Sequence, residues 1–235
     1  MHLDTAVLAA HIVDAISLLI VIGLISGYHA YLRSLARRNP AAVLSSVAEL
    51  ARFAWVETMM SDRGNGVLAI QTLRNSTMAA TFLASTSILL MVGVLTLSGQ
   101  GPALQTAWHY VNVTGNLGPE LWMIKLLSLL LLLFFAFFSF TNAIRIFNHV
   151  GYMINVQHEI NGHDGARRTP FTPGQIASEL NRGGRYYSLG THTYYYLIPL
   201  VFWLFGPLYM IMSTLVLVLF MLPRIDKTPV QMRTG

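Results

Sequence analysis

Four long apolar stretches, separated by polar segments, dominate the pattern of hydrophobic and polar positions along the chain. They cover residues of about 6–32, 70–98, 121–150 and 194–222. Each reaches or exceeds the roughly 20 residues that an α-helix needs to cross about 30 Å of hydrocarbon. The pattern therefore predicts an all-α integral membrane protein, a four-transmembrane-helix bundle. Because the sequence shows no internal repeat and no low-complexity linker, residues 1–235 are predicted to form a single membrane domain.

The connection between spans 1 and 2 predicts a further helix that lies on the membrane surface. Over residues 41–62, apolar side chains recur at helical spacing, while Ser45, Glu49 and Arg52 fall on the opposite face. Asn39-Pro40 precedes this segment and a Gly-rich turn follows it. We expect a cytoplasmic interfacial amphipathic helix between spans 1 and 2.

The other polar segments are predicted to be loops, apart from a small helix from Pro173 to Asn181. Residues 99–119 contain Gly, Pro and Asn and are expected to form a loop. The stretch QHEINGHD resembles a zinc-protease motif, but its histidines are five residues apart rather than four, which favours a surface loop. Within the fourth span, Gly206-Pro207 predicts a kink in one helix, with a re-entrant hairpin as the alternative.

Composition supports a membrane location and excludes several kinds of chemistry. The chain is 54% hydrophobic and only 11% charged, against roughly 25% charged residues in soluble domains. Its net charge of +5 comes from basic residues beside apolar spans, so it indicates headgroup contact, and no nucleic-acid partner is predicted. With no cysteine, no Gly-x-Ser-x-Gly and no phosphate-binding Gly-rich loop, the sequence predicts no catalytic residue.

The distribution of Lys and Arg predicts an orientation. Ten of these residues lie in the segments 33–74 and 151–190, and none lies in 99–119. Since cytoplasmic loops are enriched in Lys and Arg, both long connections are expected in the cytoplasm. The N- and C-termini would then be periplasmic, in a bacterial inner (plasma) membrane. Three basic residues near the end of the sequence argue against this position of the C-terminus: Arg224, Lys227 and Arg233.

Several stretches resemble one known family. VLAIQTLRNSTMAATFLASTSILL, residues 67–90, is similar to a run close to LAxQTxRNxxMxAT in the family catalogued as domain of unknown function 599, four-span membrane proteins of bacteria and plants. RFAWVETMM, KLLSLLLLLFFAFFSFTNAIRIFNHV and YYLIPLVFWLFGP resemble further family blocks. The resemblance implies a fold and a topology, and it implies no established activity. The residues that match the run are Leu68, Gln71, Thr72, Arg74, Asn75, Met78, Ala80 and Thr81.

Two charged residues inside the spans form the first candidate site. Asp14 lies in the first span and Lys125 in the third. A charge inside a span costs at least about 2.5 kcal/mol, so it usually faces the bundle and finds a partner. His11 shares a helix face with Asp14, and Glu120 precedes the third span. We expect an outer polar cluster of His11, Asp14, Glu120 and Lys125 that serves as a proton or ion relay, a headgroup site or a structural ion pair, with Lys125 snorkelling as an alternative.

A second, inner polar cluster is expected near the cytoplasmic ends of the spans. His29 follows His11 by five helical turns and therefore shares its face. Arginines at this level are suited to lipid phosphate or an anionic ligand, or they anchor the bundle at the headgroups. The predicted members are His29, Gln71, Arg74, Asn75, Asn142, Arg145, Asn148, His149 and His192.

Three functional hypotheses follow from these clusters. The leading one is a non-catalytic accessory subunit or scaffold, whose partner besides the lipid bilayer is another membrane protein or a second copy of the chain. The second is a small transporter or an ion or proton pathway that uses Asp14, Lys125 and Arg145.

The third hypothesis is a haem- or metal-binding redox subunit built on His29, His149 and His192. Bis-histidine ligation requires imidazoles from facing helices at one depth, and the sequence does not determine helix rotation. His149 and His192 also depart from the residues typical of the resembling family. No cofactor is therefore predicted, and the metal ligands are unknown.

Overall fold

A computed structural model of the chain describes residues 2–100, 119–156 and 171–228. Over these ranges the fold is all-α, as predicted. Four of its helical segments are long and apolar enough to cross a membrane: His11–Arg38, Gly66–Gly99, Glu120–Ile154 and Pro207–Asp226. The QHEINGHD stretch and residues 101–118 of the expected loop lie outside the described residues.

The helices begin and end close to the turn signals in the sequence. Asn39-Pro40 separates the first two helices, and Pro40 opens a short 3₁₀ turn, Pro40–Ala42. At the next connection the Asp62 side chain accepts a hydrogen bond from the Gly64 amide and caps the turn Arg63–Asn65. In chain order the helices are α1 His2–Arg38, α2 Leu44–Ser61, α3 Gly66–Gly99, α4 Pro119–Asn155, α5 Pro173–Trp203, α6 Pro207–Val216 and α7 Leu222–Asp226.

The chain divides into two compact units. The first unit comprises Met1–Leu44, Ile88–Phe135 and His192–Gly235, and the second comprises Ser45–Ser87 and Ala136–Thr191. Helices α3, α4 and α5 each contribute residues to both units.

In the first unit the chain reverses direction after α5. His192 in α5 and Asp226 at the end of α7 approach to 2.9 Å, whereas 34 residues of one continuous helix would separate them by about 51 Å. The reversal lies at Gly206, whose φ of 141° is a conformation that side chains disfavour, and Pro207 then begins α6. The stretch 194–222 therefore folds back on itself as a helical hairpin at Gly206 and is not one kinked helix.

Packing against α1 gives the direction of each arm of this hairpin. Val21 of α1 packs with Trp203 and Met210, while Tyr28, farther along α1, packs with Leu217 and Leu222. Helices α6 and α7, with the π turn Leu217–Met221 between them, therefore run parallel to α1. An isolated bridge between Val43 and Lys227 continues this pairing. The described chain thus ends beside the 38–44 connection, far from the N-terminal end of α1.

In the second unit an apolar core joins α2, α3, α4 and α5. Its buried residues include Val56, Leu73, Phe147 and Ile176. The small helix expected from Pro173 to Asn181 is the first part of α5, which continues to Trp203. Helix α2 buries Val56 but leaves large apolar side chains exposed: Leu44, Leu50 and Phe53.

Gly190 of α5 lies where a larger residue has no space. A Cβ at Gly190 would lie 2.8 Å from ring carbons of Phe140, whereas a Cβ at Gly93 would meet nothing within 4 Å. We expect Gly190→Ala to destabilise the chain by about 1–3 kcal/mol through overpacking, measured as a lower melting temperature in detergent. Gly93→Ala is the control and should leave stability unchanged or raise it, because alanine favours helix. Equal melting temperatures for the two variants would contradict this packing.

Candidate functional site

Two buried charges in the first unit form an ion pair. Asp14 of α1 and Lys125 of α4 are each 2% exposed, and Lys125 Nζ lies 3.4 Å from Asp14 Oδ1. The sequence places both charges inside apolar helices, where an unpaired charge is costly, and a direct pair reduces that cost. The two central members of the predicted outer cluster are therefore brought together.

Trp203, which the sequence did not single out, completes this site. Its indole Nε1 donates a 2.6 Å hydrogen bond to Asp14 Oδ1, and Lys125 Nζ lies 5.3 Å from the centre of the indole ring, within the range of a cation–π interaction. The α5–α6 turn positions Trp203 at the level of Asp14. Asp14 Oδ2 is also buried and has no hydrogen-bond partner among the described residues. We call these three residues the Asp14 site.

The other two predicted members of the outer cluster do not join this site. His11 is half-buried and Glu120 is exposed. Within the described ranges, neither residue makes an ion pair with Asp14 or Lys125. The Asp14 site thus has fewer members than the predicted outer cluster.

A second polar site of the first unit centres on Asp226, which is 7% exposed. The Tyr28 hydroxyl donates a 2.8 Å hydrogen bond to Asp226 Oδ2. On the other side, His192 Nε2 lies 2.9 Å from Asp226 Oδ1. Asp226 thus links α1, α5 and α7, and each of its two carboxylate oxygens has a hydrogen-bond partner.

His29 extends this second site along α1. Its Nε2 shares a hydrogen bond with the Tyr196 hydroxyl, and its ring centre lies 5.9 Å from that of His192. Two imidazoles, two phenols and one carboxylate therefore lie together. We call this group the Asp226 site; its members are Tyr28, His29, His192, Tyr196 and Asp226.

Two members of the predicted inner cluster, His29 and His192, lie side by side in the first unit. The remaining members belong to the second unit, where Asn142 is half-buried and the others are exposed. Arg74 and Asn148 line one cavity of about 800 Å³, and Arg145, Asn148 and His149 line another of about 940 Å³. The predicted members in the second unit are Gln71, Arg74, Asn75, Asn142, Arg145, Asn148 and His149.

The three histidines of the redox hypothesis lie in two different units. His29 and His192 are neighbours in the first unit, while His149 is exposed in the second unit. In the parts of the chain that the structure describes, no three His, Asp or Glu side chains are grouped to hold a metal ion.

A family model matches most of the chain. The model of a family described as "Protein of unknown function, DUF599" matches residues 16–228 of the chain. The matched range includes Lys125 and the whole Asp226 site, and it begins two residues after Asp14. No curated protein and no solved structure matches the chain.

Proposed function

The chain belongs to the DUF599 family, which confirms the resemblance carried by residues 67–90, and we propose from the geometry of its sites that this protein is a small proton pathway or proton-coupled transporter. Four apolar helices with the length of membrane spans support its location in a bilayer. Ionisable residues buried among such helices are expected to serve function, because their insertion is costly. The proposed coupling residue is Asp14.

The unpartnered Oδ2 of Asp14 carries this proposal. Buried polar atoms almost always have a hydrogen-bond partner, yet both Lys125 and Trp203 bind Oδ1, and Oδ2 is left without a donor in the described structure. A proton on Oδ2 would neutralise the carboxylate and leave Lys125 without its counter-charge. Proton binding at Asp14 is thereby coupled to movement of the Lys125 side chain.

The Asp226 site supplies a second proton-binding position on the same helix. Asp14 and Tyr28 are 14 residues apart on α1, which corresponds to about 21 Å along its axis. An apolar layer of Val21, Trp203 and Met210 lies between them. Imidazole ring nitrogens both accept and donate protons, so His29 and His192 are suited to pass protons on one side of this layer. Apolar constrictions between polar sites are a known form of gate.

The accessory-subunit hypothesis remains a prediction, but the geometry favours it less. Its support would be exposed apolar side chains, such as Leu19, Phe82 and Leu89. Lipid tails cover such residues as well as a protein partner does. Arg145, the third residue of the predicted pathway, is exposed in the second unit and is not part of the pathway proposed here.

We also propose an orientation in a bacterial inner membrane. The density of Lys and Arg supports a cytoplasmic position for the 33–74 and 151–190 segments. Exposed Leu50 and Phe53 support contact of α2 with the membrane interface. Because Lys227 pairs with Val43, residues 222–228 are proposed to be cytoplasmic, while the N-terminal end of α1 is periplasmic. This differs from the prediction that both termini are outside, and it agrees with the basic residues near position 227.

Proton flux through reconstituted liposomes tests the proposed function. The purified full chain is inserted into liposomes that contain the pH dye pyranine, and a potassium gradient with valinomycin drives proton entry. We expect the wild type to acidify the lumen faster than protein-free liposomes. Asp14→Asn should reduce the rate to near that of protein-free liposomes, because an amide does not take up the proton.

Glu120→Gln is the matched control for this experiment. It replaces an exposed carboxylate in the helix that carries Lys125, so it should leave the rate unchanged. A wild-type rate equal to that of protein-free liposomes, or equal rates for the wild type and Asp14→Asn, would refute the proposed function.

A further inference from the structure

The second unit contains a cavity that the proposed proton pathway does not use. Its volume is about 670 Å³, within the roughly 300–1,000 Å³ of sites for small ligands. One part of its wall is apolar and includes Leu73, Phe147 and Leu180. Another part carries donor groups, which belong to Arg52, Asn75 and Tyr187.

Arg52 is held in a defined orientation at this cavity. Its Nε donates a 2.7 Å hydrogen bond to Asn181 Oδ1, and Asn181 Nδ2 in turn donates to the Glu49 carbonyl oxygen at 3.4 Å. The guanidinium also lies against Gly184, where an added Cβ would be 2.7 Å from Arg52 Cζ. Helices α2 and α5 therefore fix the plane of the guanidinium.

The Arg52 guanidinium has hydrogen-bond donors that no described residue uses. The nearby Glu49 carboxylate is 3.1 Å from Arg185 and pairs with that residue. Burial lowers the pKa of the Arg52 guanidinium. The Glu49 carboxylate opposes this change, and the Arg185 charge adds to it. Arginine nevertheless stays charged in proteins. Among the described residues, Arg52 donates a side-chain hydrogen bond to Asn181 alone, and it does so through Nε. Its two Nη groups are thus available to an anion.

We propose that this cavity binds a phosphate-bearing amphiphile, with the phosphate on the Arg52 guanidinium and the acyl chain along Leu73, Phe147 and Leu180. Two Nη groups in one plane match two phosphate oxygens, as in other fork-like arginine contacts. Asn75 and Tyr187 supply further donors at the polar part of the wall. An apolar wall beside a single fixed cation suits a ligand with one anionic end and one apolar end, and membrane lipids have this chemistry.

Calorimetric titration of the full chain in an uncharged detergent tests this site. The probes are dioctanoyl phosphatidic acid, dioctanoylglycerol, which lacks the phosphate, and inorganic phosphate, which lacks the chains. We expect the phosphatidic acid to bind at least about tenfold more tightly than either other probe. Equal binding of the two acyl probes would indicate an apolar cavity only, and equal binding of inorganic phosphate would indicate a free-anion site. Either result would overturn the proposal.

Four variants locate the binding. Arg52→Gln should weaken phosphatidic acid binding about tenfold or more, because it removes the charge and the Nη donors that hold the phosphate. Arg52→Lys keeps the charge but loses the fork, so it should also bind weakly. Ala79→Trp should block the acyl probes by filling the cavity. Arg182→Gln is the matched control, because it removes one exposed positive charge from α5 at a residue that does not line this cavity, and it should leave affinity nearly unchanged.

The controls separate a specific site from a general charge effect. Equal losses for Arg52→Gln and Arg182→Gln would show non-specific attraction to a basic surface and overturn the proposal. A melting temperature is measured for each variant, so that a loss of binding is assigned only to folded protein. The proton-flux experiment is independent, because Asp14 and this cavity belong to different units.

Discussion

Asp14→Asn is expected to lower the melting temperature of the full chain in detergent strongly, and adding Lys125→Met is expected to restore it. Removing one partner of a buried pair leaves an uncompensated charge and costs about 3–5 kcal/mol, whereas apolar residues in place of the pair are often neutral or stabilising. For a chain of this size each kcal/mol corresponds to roughly 2–4 °C. The single variant should therefore melt about 6–20 °C lower, and the double variant close to the wild type.

An exposed ion pair provides the control for this prediction. Arg182 and Glu179 are 3.1 Å apart, with 54% and 33% of their side chains exposed, and surface pairs contribute only about 0–1 kcal/mol. Glu179→Gln should therefore shift the melting temperature by little. A double variant that stays as unstable as Asp14→Asn would contradict the idea that the lost stability comes from an unpaired Lys125.

The same double variant separates the role of the pair in stability from its role in proton movement. If it folds with normal stability and conducts no protons, the buried charges serve function at the expense of stability. If it conducts protons like the wild type, Asp14 is not the coupling residue and the proposed function is wrong. This result is informative because the fold is intact in either case.

The sequence predicted those features that follow from apolar length and from the cost of a buried charge. Helical spans emerge from long apolar stretches, because a chain in lipid must satisfy its backbone hydrogen bonds internally. The Asp14–Lys125 pair is predictable for a similar reason, since each charge lies inside such a span and needs a partner. Trp203 was not predictable, because its role depends on a chain reversal three residues later.

The apolar pattern does not predict the chain reversal at Gly206. Residues 194–222 have the same hydrophobic residues whether the helix bends at Gly206 or turns back. Tertiary contacts, such as that between His192 and Asp226, distinguish the two arrangements. A signal for the reversal was nevertheless present. The basic residues near Lys227 disagree with a periplasmic C-terminus, and the hairpin removes that disagreement.

The inner cluster was predicted from depth in the membrane alone, and depth is not sufficient. His29 and His192 meet because they lie on facing sides of α1 and α5. Arg145 and His149 have a similar predicted depth but face outward from α4, where they are exposed. Helix rotation decides which residues meet. For the same reason Tyr28, Tyr196 and Asp226 were missed, since Tyr28 and Asp226 are 198 residues apart in sequence.

A cysteine introduced at position 227 is expected to react on the cytoplasmic side of the membrane. The chain has no natural cysteine, so each single variant reports only its own position. Lys227→Cys, Ser34→Cys and Gln100→Cys all replace exposed residues of the first unit. In right-side-out vesicles, a membrane-impermeant maleimide should label Gln100→Cys nearly completely. It should label Ser34→Cys and Lys227→Cys only after the vesicles are opened.

The physical reason for this result is the direction of the hairpin. Ser34 follows His29 in α1 and lies near the end of that helix. Lys227 lies beside the same end of α1, since its Nζ is 5.4 Å from the Tyr31 ring centre. If 194–222 were one kinked helix crossing the membrane, Lys227→Cys would react together with Gln100→Cys. That outcome would contradict both the hairpin and the cytoplasmic position of residues 222–228. One kinked helix crossing the membrane would also place Asp226 at the membrane surface opposite to His192 and Tyr28. The labelling pattern therefore tests the Asp226 site as well as the topology.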